Sequence, residues 1–335
     1  MMALRIGFLG TGFINQIHAT AARHSGADLA AVVNHRPESL AAFAAKHDIA
    51  RRYETVEALL RDGGVDGIVI GTPNVLHARQ AIAALEAGVG VLVEKPMAIT
   101  PDECAAMVAA SERSGAPLMV AHCWRFDDEV RWLRDQAALI GPIVRTKSYG
   151  VHVRWGPSGW FTKRALAGGG ALADMGIHAI DTTRFLLGDP EPVSVYARIG
   201  TFYGDYDVDD TGLVLVNWAG GVSSVIEFGW WQPQSDGVAA ATQLYGHDGL
   251  ASLFPTQILY TGPADRRPAW SDPGFVFPRV EHVPQSLYDR QMAHFLDCLK
   301  TGAAPAPGGR EGRANVKIVA AAYESARSGQ VVEIA

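Results

Sequence analysis

An acid and a histidine lie one helical turn apart, just after a run of three glycines. Asp174 and His178 are four positions apart, and Asp181 follows three residues later, so one helix face carries all three. Histidine can accept a hydroxyl proton near neutral pH, and a carboxylate can orient it or bind a neighbouring hydroxyl. The glycines, residues 168–170, leave room for the backbone to approach a ligand. The pattern predicts acid–base chemistry, with a surface ion pair or an Asp/His metal site as alternatives.

A metal ion is disfavoured because no third ligand lies at a recognisable spacing from Asp174 and His178. We therefore predict no metal site. Four further side chains are candidate substrate neighbours, since aromatic rings can stack on the apolar faces of a small molecule and its hydroxyls need polar partners. Packing in the core or at a subunit interface is the alternative for each of them. They are Trp124, Arg125, Trp155 and Trp160.

Polar residues follow two apolar stretches in the first half of the chain, residues 67–70 and 89–93. If these stretches are neighbouring parallel strands, the residues after them lie where ligands of such a sheet bind. A lysine at such a strand end could polarise a substrate hydroxyl or share its proton, whereas a plain surface lysine is the alternative. The residues predicted at these strand ends are Thr72, Pro73, Asn74, His77, Glu94 and Lys95.

A glycine-rich turn follows the first predicted strand and opens a helix. Glycines at such a turn let the backbone approach a pyrophosphate, which sits against the positive N-terminus of the helix. Asn15 replaces the third glycine of the dinucleotide fingerprint, so a plain glycine turn is the alternative. The predicted dinucleotide contacts here are Gly10, Thr11, Gly12, Phe13 and Ile14.

The end of the second predicted strand has an asparagine where dinucleotide-binding domains normally carry an acid. Without that carboxylate, Asn34 does not repel a 2′-phosphate, and Arg36 could pair with one. This favours NADP slightly over NAD, with His35 between the two as a further cofactor contact. In the alternative, Asn34 bonds the ribose of NAD and Arg36 stacks on the adenine.

The elements that must position these residues follow two patterns. Between residues 4 and 120 short apolar runs alternate with helical stretches, which is typical of a parallel sheet. Later strands follow one another through short turns, which favours an antiparallel open sheet with helices on one face. The 335 residues suit two domains. We predict an α/β Rossmann domain over residues 1–122 and an α+β domain over residues 123–335.

Individual elements are predicted from the same periodicities. Thr100 and Glu103 form a capping box that starts a helix reaching residue 113. The segment 262–284, rich in Pro and Gly, is predicted to be a loop. Strands are predicted at 4–9, 29–33, 67–70, 89–93, 117–120, 144–153, 193–203, 212–218, 222–230, 242–245 and 331–334. The other helices are predicted at 37–47, 75–87, 129–139, 171–187, 287–299 and 315–327.

Composition narrows the class of protein. Hydrophobic residues make up 48% and charged residues 19%, as in ordinary globular proteins. The net charge of -6, without any Lys/Arg run, disfavours nucleic acid and membrane surfaces as partners. No targeting segment or apolar run of about 18 residues is present, so a cytoplasmic location is expected. The three widely spaced cysteines fit neither a disulfide framework nor a CxxC pair and are expected to be reduced core residues.

Taken in order, these motifs resemble the Gfo/Idh/MocA family, named after glucose-fructose oxidoreductase, inositol dehydrogenase and rhizopine catabolism. The resemblance covers essentially the whole chain and implies a Rossmann domain followed by a large, mostly antiparallel sheet. It implies homodimers or homotetramers built on the open face of that sheet. It also implies that Lys95 is the catalytic lysine, His178 the proton-transferring histidine and Asp174 a residue that places the substrate. Asn15 and Asn34 depart from the pattern and leave the choice of cofactor in doubt.

The resemblance further implies a reaction. Hydride passes reversibly between C4 of NADP or NAD and a ring carbon of a sugar, inositol or related polyol, where Lys95 meets Asp174 and His178. Two alternatives remain: a sensor that binds the dinucleotide without turnover, and a reductase of a non-sugar ring such as an aromatic dihydrodiol. The presence of all three residues argues against the sensor.

Overall fold

The computed structural model describes residues 3–152, 158–230, 240–261, 268–271, 273–276 and 283–334. The chain divides into two compact units. The first comprises Met1–Cys123 and Val283–Arg313, and the second comprises Trp124–His282 and Ala314–Ala335. The sequence pattern places residues 283–313 in the second domain, whereas their contacts place them in the first unit.

The described residues form the following elements. The strands are β1 (Arg5–Leu9), β2 (Asp28–Val33), β3 (Arg51–Tyr53), β4 (Gly67–Ile70), β5 (Gly90–Val93), β6 (Leu118–Val120), β7 (Ile143–Val151), β8 (Pro192–Gly200), β9 (Thr211–Trp218), β10 (Ser223–Gly229), β11 (Ala240–Gly246), β12 (Gly249–Leu253), β13 (Gln257–Thr261), β14 (Pro268–Ser271) and β15 (Val332–Glu333). The helices are α1 (Phe13–His24), α2 (Pro37–His47), α3 (Val56–Asp62), α4 (His77–Glu86), α5 (Pro101–Ser114), α6 (Asp128–Gln136), α7 (Arg164–Ala167), α8 (Ile177–Leu186), α9 (Gln285–Thr301) and α10 (Gly309–Ser328). A π-helical turn, Leu172–Gly176, leads into α8.

The first unit is built on a parallel sheet. Its described strands run in the order β3-β2-β1-β4-β5-β6, and each pair is parallel. The strand order reverses between β1 and β4, and ligands of such sheets bind outside the carboxyl ends of the strands at that point. Strands β4 and β5 are buried along their whole length, as expected for a sheet covered on both faces. The Rossmann architecture is confirmed.

Helix α9 packs on the first unit where two strands begin with glycine. A Cβ added at Gly67 would lie 2.8 Å from the Leu299 side chain, and one added at Gly90 would lie 2.3 Å from it. Any larger residue at the start of β4 or β5 would collide with Leu299 of α9. At the other end of α9, Asp289 bonds His24 of α1, with 2.9 Å between Nδ1 and Oδ2.

The second unit contains a large sheet whose described strands run β14-β13-β12-β11-β7-β10-β9-β8-β15. Strands β7 and β10 are parallel, and the other pairs are antiparallel. One face packs on α8, where the hydroxyls of Ser148 and Thr183 lie 2.6 Å apart. On the opposite face, Leu213 and Val225 are 41% and 39% exposed. The predicted fold class, with a mostly antiparallel open sheet, is therefore confirmed.

Some elements differ from the sequence prediction. The pattern misses β3, because its Arg-Arg-Tyr sequence has no apolar run, and it misses the short strands β12 and β13. The segment 262–284 is not wholly a loop, since β14 (Pro268–Ser271) pairs with β13. Helix α10 begins six residues before position 315, because the Glu311 carboxylate accepts the Gly308 N–H at 2.8 Å and caps a glycine-rich start. The capping box of α5 is present as predicted.

The three cysteines are core residues. Cys104, Cys123 and Cys298 are free and buried, and burial raises the pKa of the Cys104 thiol to about 12. Across the described ranges, the helices all fall short of the length and apolarity that crossing a membrane requires.

Candidate active site

The glycine turn after β1 is shaped for close approach. Gly10 has a φ of +91°, and a Cβ there would lie 2.7 Å from the Gly71 carbonyl oxygen. Gly12 is the N-cap of α1, and no side chain caps this helix. A Cβ added at Gly12 would meet no atom of the described residues within 4 Å. A bare helix N-terminus behind an open glycine fits a dinucleotide pyrophosphate, which needs N–H donors and space.

Asn15, which replaces the third glycine of the fingerprint, holds this turn together. Its side-chain amide is buried and donates to the carbonyl oxygens of Leu9 and Gly10 at 2.7 and 2.8 Å. These bonds fix the last residue of β1 and the first residue of the turn. The departure from the pattern therefore stabilises the conformation that a dinucleotide needs.

Asn34 ties the end of β2 to the same turn. Its side-chain amide donates to Thr11 Oγ1, and its side-chain carbonyl oxygen accepts the Arg36 N–H at 3.0 Å. Both polar atoms of Asn34 thus order the loop. His35 and Arg36 are exposed at the start of α2, so the Arg36 guanidinium is accessible to an anion.

Lys95 follows a buried acid whose side chain fixes the backbone. Glu94 Oε2 accepts the Lys95 N–H at 3.1 Å, and Glu94 Oε1 lies 2.7 Å from Nε2 of His18 on α1. Burial acts to raise the pKa of Glu94, but the His18 hydrogen bond and the charges of His18 and Lys95 outweigh it and hold that pKa below its usual range. The carboxylate stays ionised and fixes Lys95. The sequence pattern does not predict a role for His18. Its only sequence signal is its place on an alanine-rich face of α1.

His77 links the two loops that follow β4 and β5. Its Nδ1 lies 2.9 Å from the Pro96 carbonyl oxygen, and its Nε2 lies 2.9 Å from that of Thr72. Burial lowers the pKa of His77 even though both carbonyls favour the charged ring. The Thr72 hydroxyl donates to Gln80 at 2.7 Å, and Asn74 is buried beside them. The first unit thus brings the predicted residues Thr72 to His77 and Lys95 to one edge of its sheet.

In the second unit, Asp174 lies in the π-helical turn and His178 in the first turn of α8. Asp174 Oδ2 accepts the indole N–H of Trp230 at 3.0 Å and lies 3.0 Å from Nε2 of His152. The Asp174 side chain is 10% exposed, so both contacts are largely shielded from water. His152 and Trp230 are additions to the predicted site. A polar residue at the end of a predicted apolar strand is the only sequence signal for His152.

One of the predicted aromatic candidates, Trp124, lies near His178. The Trp124 ring is 6.2 Å from the His178 ring and 5.3 Å from the Phe254 ring, centroid to centroid. Trp160 is partly exposed and stacks on Phe161 at 3.9 Å. Trp155, the remaining aromatic candidate, lies outside the described residues.

Arg125 is held in a buried ion-pair network. Its guanidinium donates to Asp181 at 2.7 to 3.0 Å and to Asp189 at 2.7 and 3.1 Å, and the arginine is 5% exposed. Asn315 donates to the same Asp181 carboxylate at 2.7 Å. Burial acts to lower the pKa of Arg125, but the two carboxylates outweigh it and raise that pKa. These bonds favour a packing role for Arg125, the alternative to substrate contact.

The glycines before Asp174 make room for protein atoms. A Cβ at Gly169 would lie 2.2 Å from the Tyr323 hydroxyl, and one at Gly170 would lie 1.9 Å from the Asp209 carbonyl oxygen. The sequence pattern predicts that these glycines leave room for a ligand. At Gly169 and Gly170 that space is instead occupied by Tyr323 and Asp209. Within the described ranges, no group of three or more His, Cys, Asp or Glu side chains is arranged to hold a metal ion.

Comparisons with known proteins cover both units. Residues 4–122 match a family model described as an oxidoreductase family with an NAD-binding Rossmann fold, and residues 136–252 match the GFO/IDH/MocA C-terminal domain. The chain is 28% identical to the 1,5-anhydro-D-fructose reductase of Ensifer adhaerens over 334 residues, which cover 98% of each chain. It is 30% identical to the trans-1,2-dihydrobenzene-1,2-diol dehydrogenase of Sus scrofa over 317 residues, 91% of each chain.

A solved structure gives the same fold. Levoglucosan dehydrogenase in complex with NADH and L-sorbose matches with a TM-score of 0.90 at 23% identity, covering 100% of both chains. At this identity the likeness concerns the fold alone. It agrees with the two-sheet fold described above.

Proposed function

The chain belongs to the Gfo/Idh/MocA oxidoreductase family, and we propose that it transfers hydride between a nicotinamide dinucleotide and a secondary alcohol or ketone of a sugar, inositol or related polyol. The observation that carries this proposal is the open, uncapped N-terminus of α1 behind Gly10 and Gly12, which fits the family's dinucleotide. When bound, the dinucleotide supplies the hydride chemistry. The chain's own residues supply binding, orientation and proton transfer.

We assign the proton transfer to His178. It lies near the aromatic ring of Trp124, and a half-buried imidazole can take a proton from a substrate hydroxyl and return it. Asp174, held by Trp230 and His152, binds a neighbouring hydroxyl and so orients the reacting carbon. Lys95, whose backbone Glu94 fixes, stabilises charge on the substrate oxygen.

A second candidate substrate class is a non-sugar ring. The relative from Sus scrofa is named as a dihydrodiol dehydrogenase, and the ring of Trp124 beside His178 would pack on a flat hydrocarbon as well as on a sugar face. Asp174 favours a substrate with a second hydroxyl in either class.

A substrate panel tests the proposed function. The purified protein is mixed with sugars, inositols, 1,5-anhydro-D-fructose and a trans-dihydrodiol, each with both coenzymes, and the absorbance of the reduced nicotinamide is followed. We expect turnover of at least one polyol. Dinucleotide binding without any turnover across the panel would instead support a sensor.

We further propose that NADP is slightly preferred over NAD. Asn34 brings no carboxylate to the end of β2, and the exposed Arg36 can pair with a 2′-phosphate. Arg36→Ala should weaken NADP binding by about ten-fold, the value of one charge-assisted hydrogen bond, while NAD binding changes by less than about two-fold. Quenching of protein fluorescence by each coenzyme measures both affinities. Arg61→Ala, at an exposed position of α3, is the matched control; unchanged NADP affinity in Arg36→Ala would refute the assignment.

We also propose that a second copy of this chain covers the open sheet face, giving a homodimer or homotetramer. The partly exposed Leu213 and Val225 support this, because apolar side chains on a flat face gain from burial. Light scattering should report an oligomer for the wild type and a smaller species for the double variant Leu213→Asp, Val225→Asp. A monomeric wild type would contradict it.

A further inference from the structure

We infer that Asp209 is a positioning residue for Asp174, because it caps from outside the helix on which Asp174 lies. The inference rests on the proposed function, in which Asp174 orients the substrate. The Asp209 side chain accepts hydrogen bonds from backbone N–H groups of this helix. Its effect on Asp174 therefore passes through the helix backbone.

The helix that carries Asp174 has no cap of its own. Helices leave their first N–H groups without intrahelical partners, and a side-chain oxygen just before the helix normally satisfies one of them. Here residues 168–171 are three glycines and an alanine, which have no side-chain acceptor. The missing acceptors must therefore come from another part of the chain.

Asp209, just before β9, supplies three acceptors to three consecutive N–H groups. Its Oδ1 accepts from Gly170, its backbone oxygen from Ala171 and its Oδ2 from Leu172, each at 2.8 Å. The residue is 4% exposed, so water competes little for these bonds. A carboxylate also suits the positive end of a helix. Asp209 thus fixes the backbone up to two residues before Asp174.

The turn that follows makes this anchor important. Leu172–Gly176 is π-helical, and the Ile177 N–H reaches back five residues to the Leu172 carbonyl oxygen. Such wide turns are rare and are frequently found at functional sites. Because Leu172 is both the residue that Asp209 holds and the acceptor that closes the turn, moving it would shift Asp174.

Tyr323 of α10 holds the cap in place. Its hydroxyl donates to Asp209 Oδ1 at 2.7 Å, and Gly169 is small enough to let this hydroxyl approach. Gly169 and Gly170 therefore admit the Asp209 and Tyr323 pair. This explains why larger residues are absent where they would otherwise strengthen the helix.

The neighbouring Asp210 supports Asp174 from the other side. Its backbone oxygen accepts the Trp230 N–H at 2.7 Å, and the Trp230 indole N–H donates to Asp174 Oδ2 at 3.0 Å. The Asp210 carboxylate accepts the N–H groups of Phe202 and Tyr203 at 2.6 to 2.9 Å, which orders its own loop. Asp209 thus holds the backbone just before Asp174. Asp210 holds Trp230, the residue that donates to the Asp174 carboxylate.

The test compares Asp209→Asn with Asp205→Asn, a matched control that removes the same charge from an exposed position of the same loop. An asparagine would present an amide group to N–H donors that need an oxygen. For correctly folded Asp209→Asn, we expect kcat to fall by about ten-fold or more, because displacements of about 1 Å can cost a hundred-fold. Dinucleotide affinity should stay within about two-fold, since the glycine turn after β1 is untouched. Asp205→Asn should match the wild type.

A spectroscopic readout works without turnover. The indole N–H signal of Trp230, assigned with Trp230→Phe, reports its hydrogen bond to Asp174 and should move in Asp209→Asn but not in Asp205→Asn. Tyr323→Phe, which removes one bond to Asp209, should move it in the same direction by less and serves if Asp209→Asn does not fold. A folded Asp209→Asn protein with an unchanged signal, or with wild-type kcat, would overturn the inference.

Failure of the proposed function would look different. If the wild type turned over no substrate but the Trp230 signal still moved in Asp209→Asn, the positional claim would stand and the catalytic assignment would fall.

Discussion

Lys95→Ala is expected to lower kcat by about 10²- to 10⁴-fold, the range for losing a group that assists charge or proton transfer in the transition state. Dinucleotide affinity should change by less than about three-fold, because the glycine turn and Asn15 keep their bonds without the lysine side chain. Steady-state kinetics on the best substrate of the panel, together with fluorescence titration of the dinucleotide, measures both quantities.

The backbone at Lys95 should survive this substitution. The Glu94 carboxylate bonds the N–H of residue 95, and His77 lies against the Pro96 carbonyl oxygen; neither contact uses the lysine side chain. Lys46→Ala, at an exposed position of α2, is the control for loss of a positive charge. Near-normal turnover by Lys95→Ala would remove Lys95 from the reaction.

Arg125→Met is expected to lower the free energy of unfolding by about 3–5 kcal/mol, because it leaves the buried Asp181 carboxylate without the Arg125 guanidinium. Asp181 is 1% exposed and would lose three hydrogen bonds from Arg125, while Asp189 would lose two. Methionine fills much of the arginine volume, so the loss reports the ion pairs more than a cavity. Chemical unfolding followed by tryptophan fluorescence gives the measurement.

Arg134→Met provides the comparison for Arg125. The Arg134 side chain is 40% exposed and lies 4.0 Å from Asp189, so its removal should cost less than about 1 kcal/mol. If Arg125 instead bound substrate, Arg125→Met would raise KM in a protein of unchanged stability. A stability loss no larger than that of Arg134→Met would contradict the structural role.

The sequence predicts those parts of the site that depend on local spacing. Asp174 and His178 emerge from their separation on one helix, and Lys95 from its place after a buried strand. His152, Trp230 and Asp209 do not emerge, because their importance lies in contacts with residues far away in the chain. Trp230 and Asp174, for example, are 56 positions apart. No local pattern encodes which distant tryptophan will donate to which acid.

The same division holds for the fold. Strands such as β4, whose four residues are all buried, have a continuous apolar signal and are predicted at their observed bounds. The edge strand β3 lacks that signal, because its side chains are polar. The return of α9 to the first unit is also invisible locally. It depends on Gly67 and Gly90 accepting Leu299, a contact that only the folded chain reveals.

The central claim, direct hydride transfer, is tested most directly by following one hydrogen atom. A polyol that supports turnover is prepared with deuterium on the carbon that is oxidised, and the reduced dinucleotide is isolated and analysed by mass spectrometry and NMR. We predict one deuterium at C4 of the nicotinamide for each molecule of substrate oxidised. Reduced dinucleotide without deuterium, or deuterium recovered in the solvent, would contradict the account.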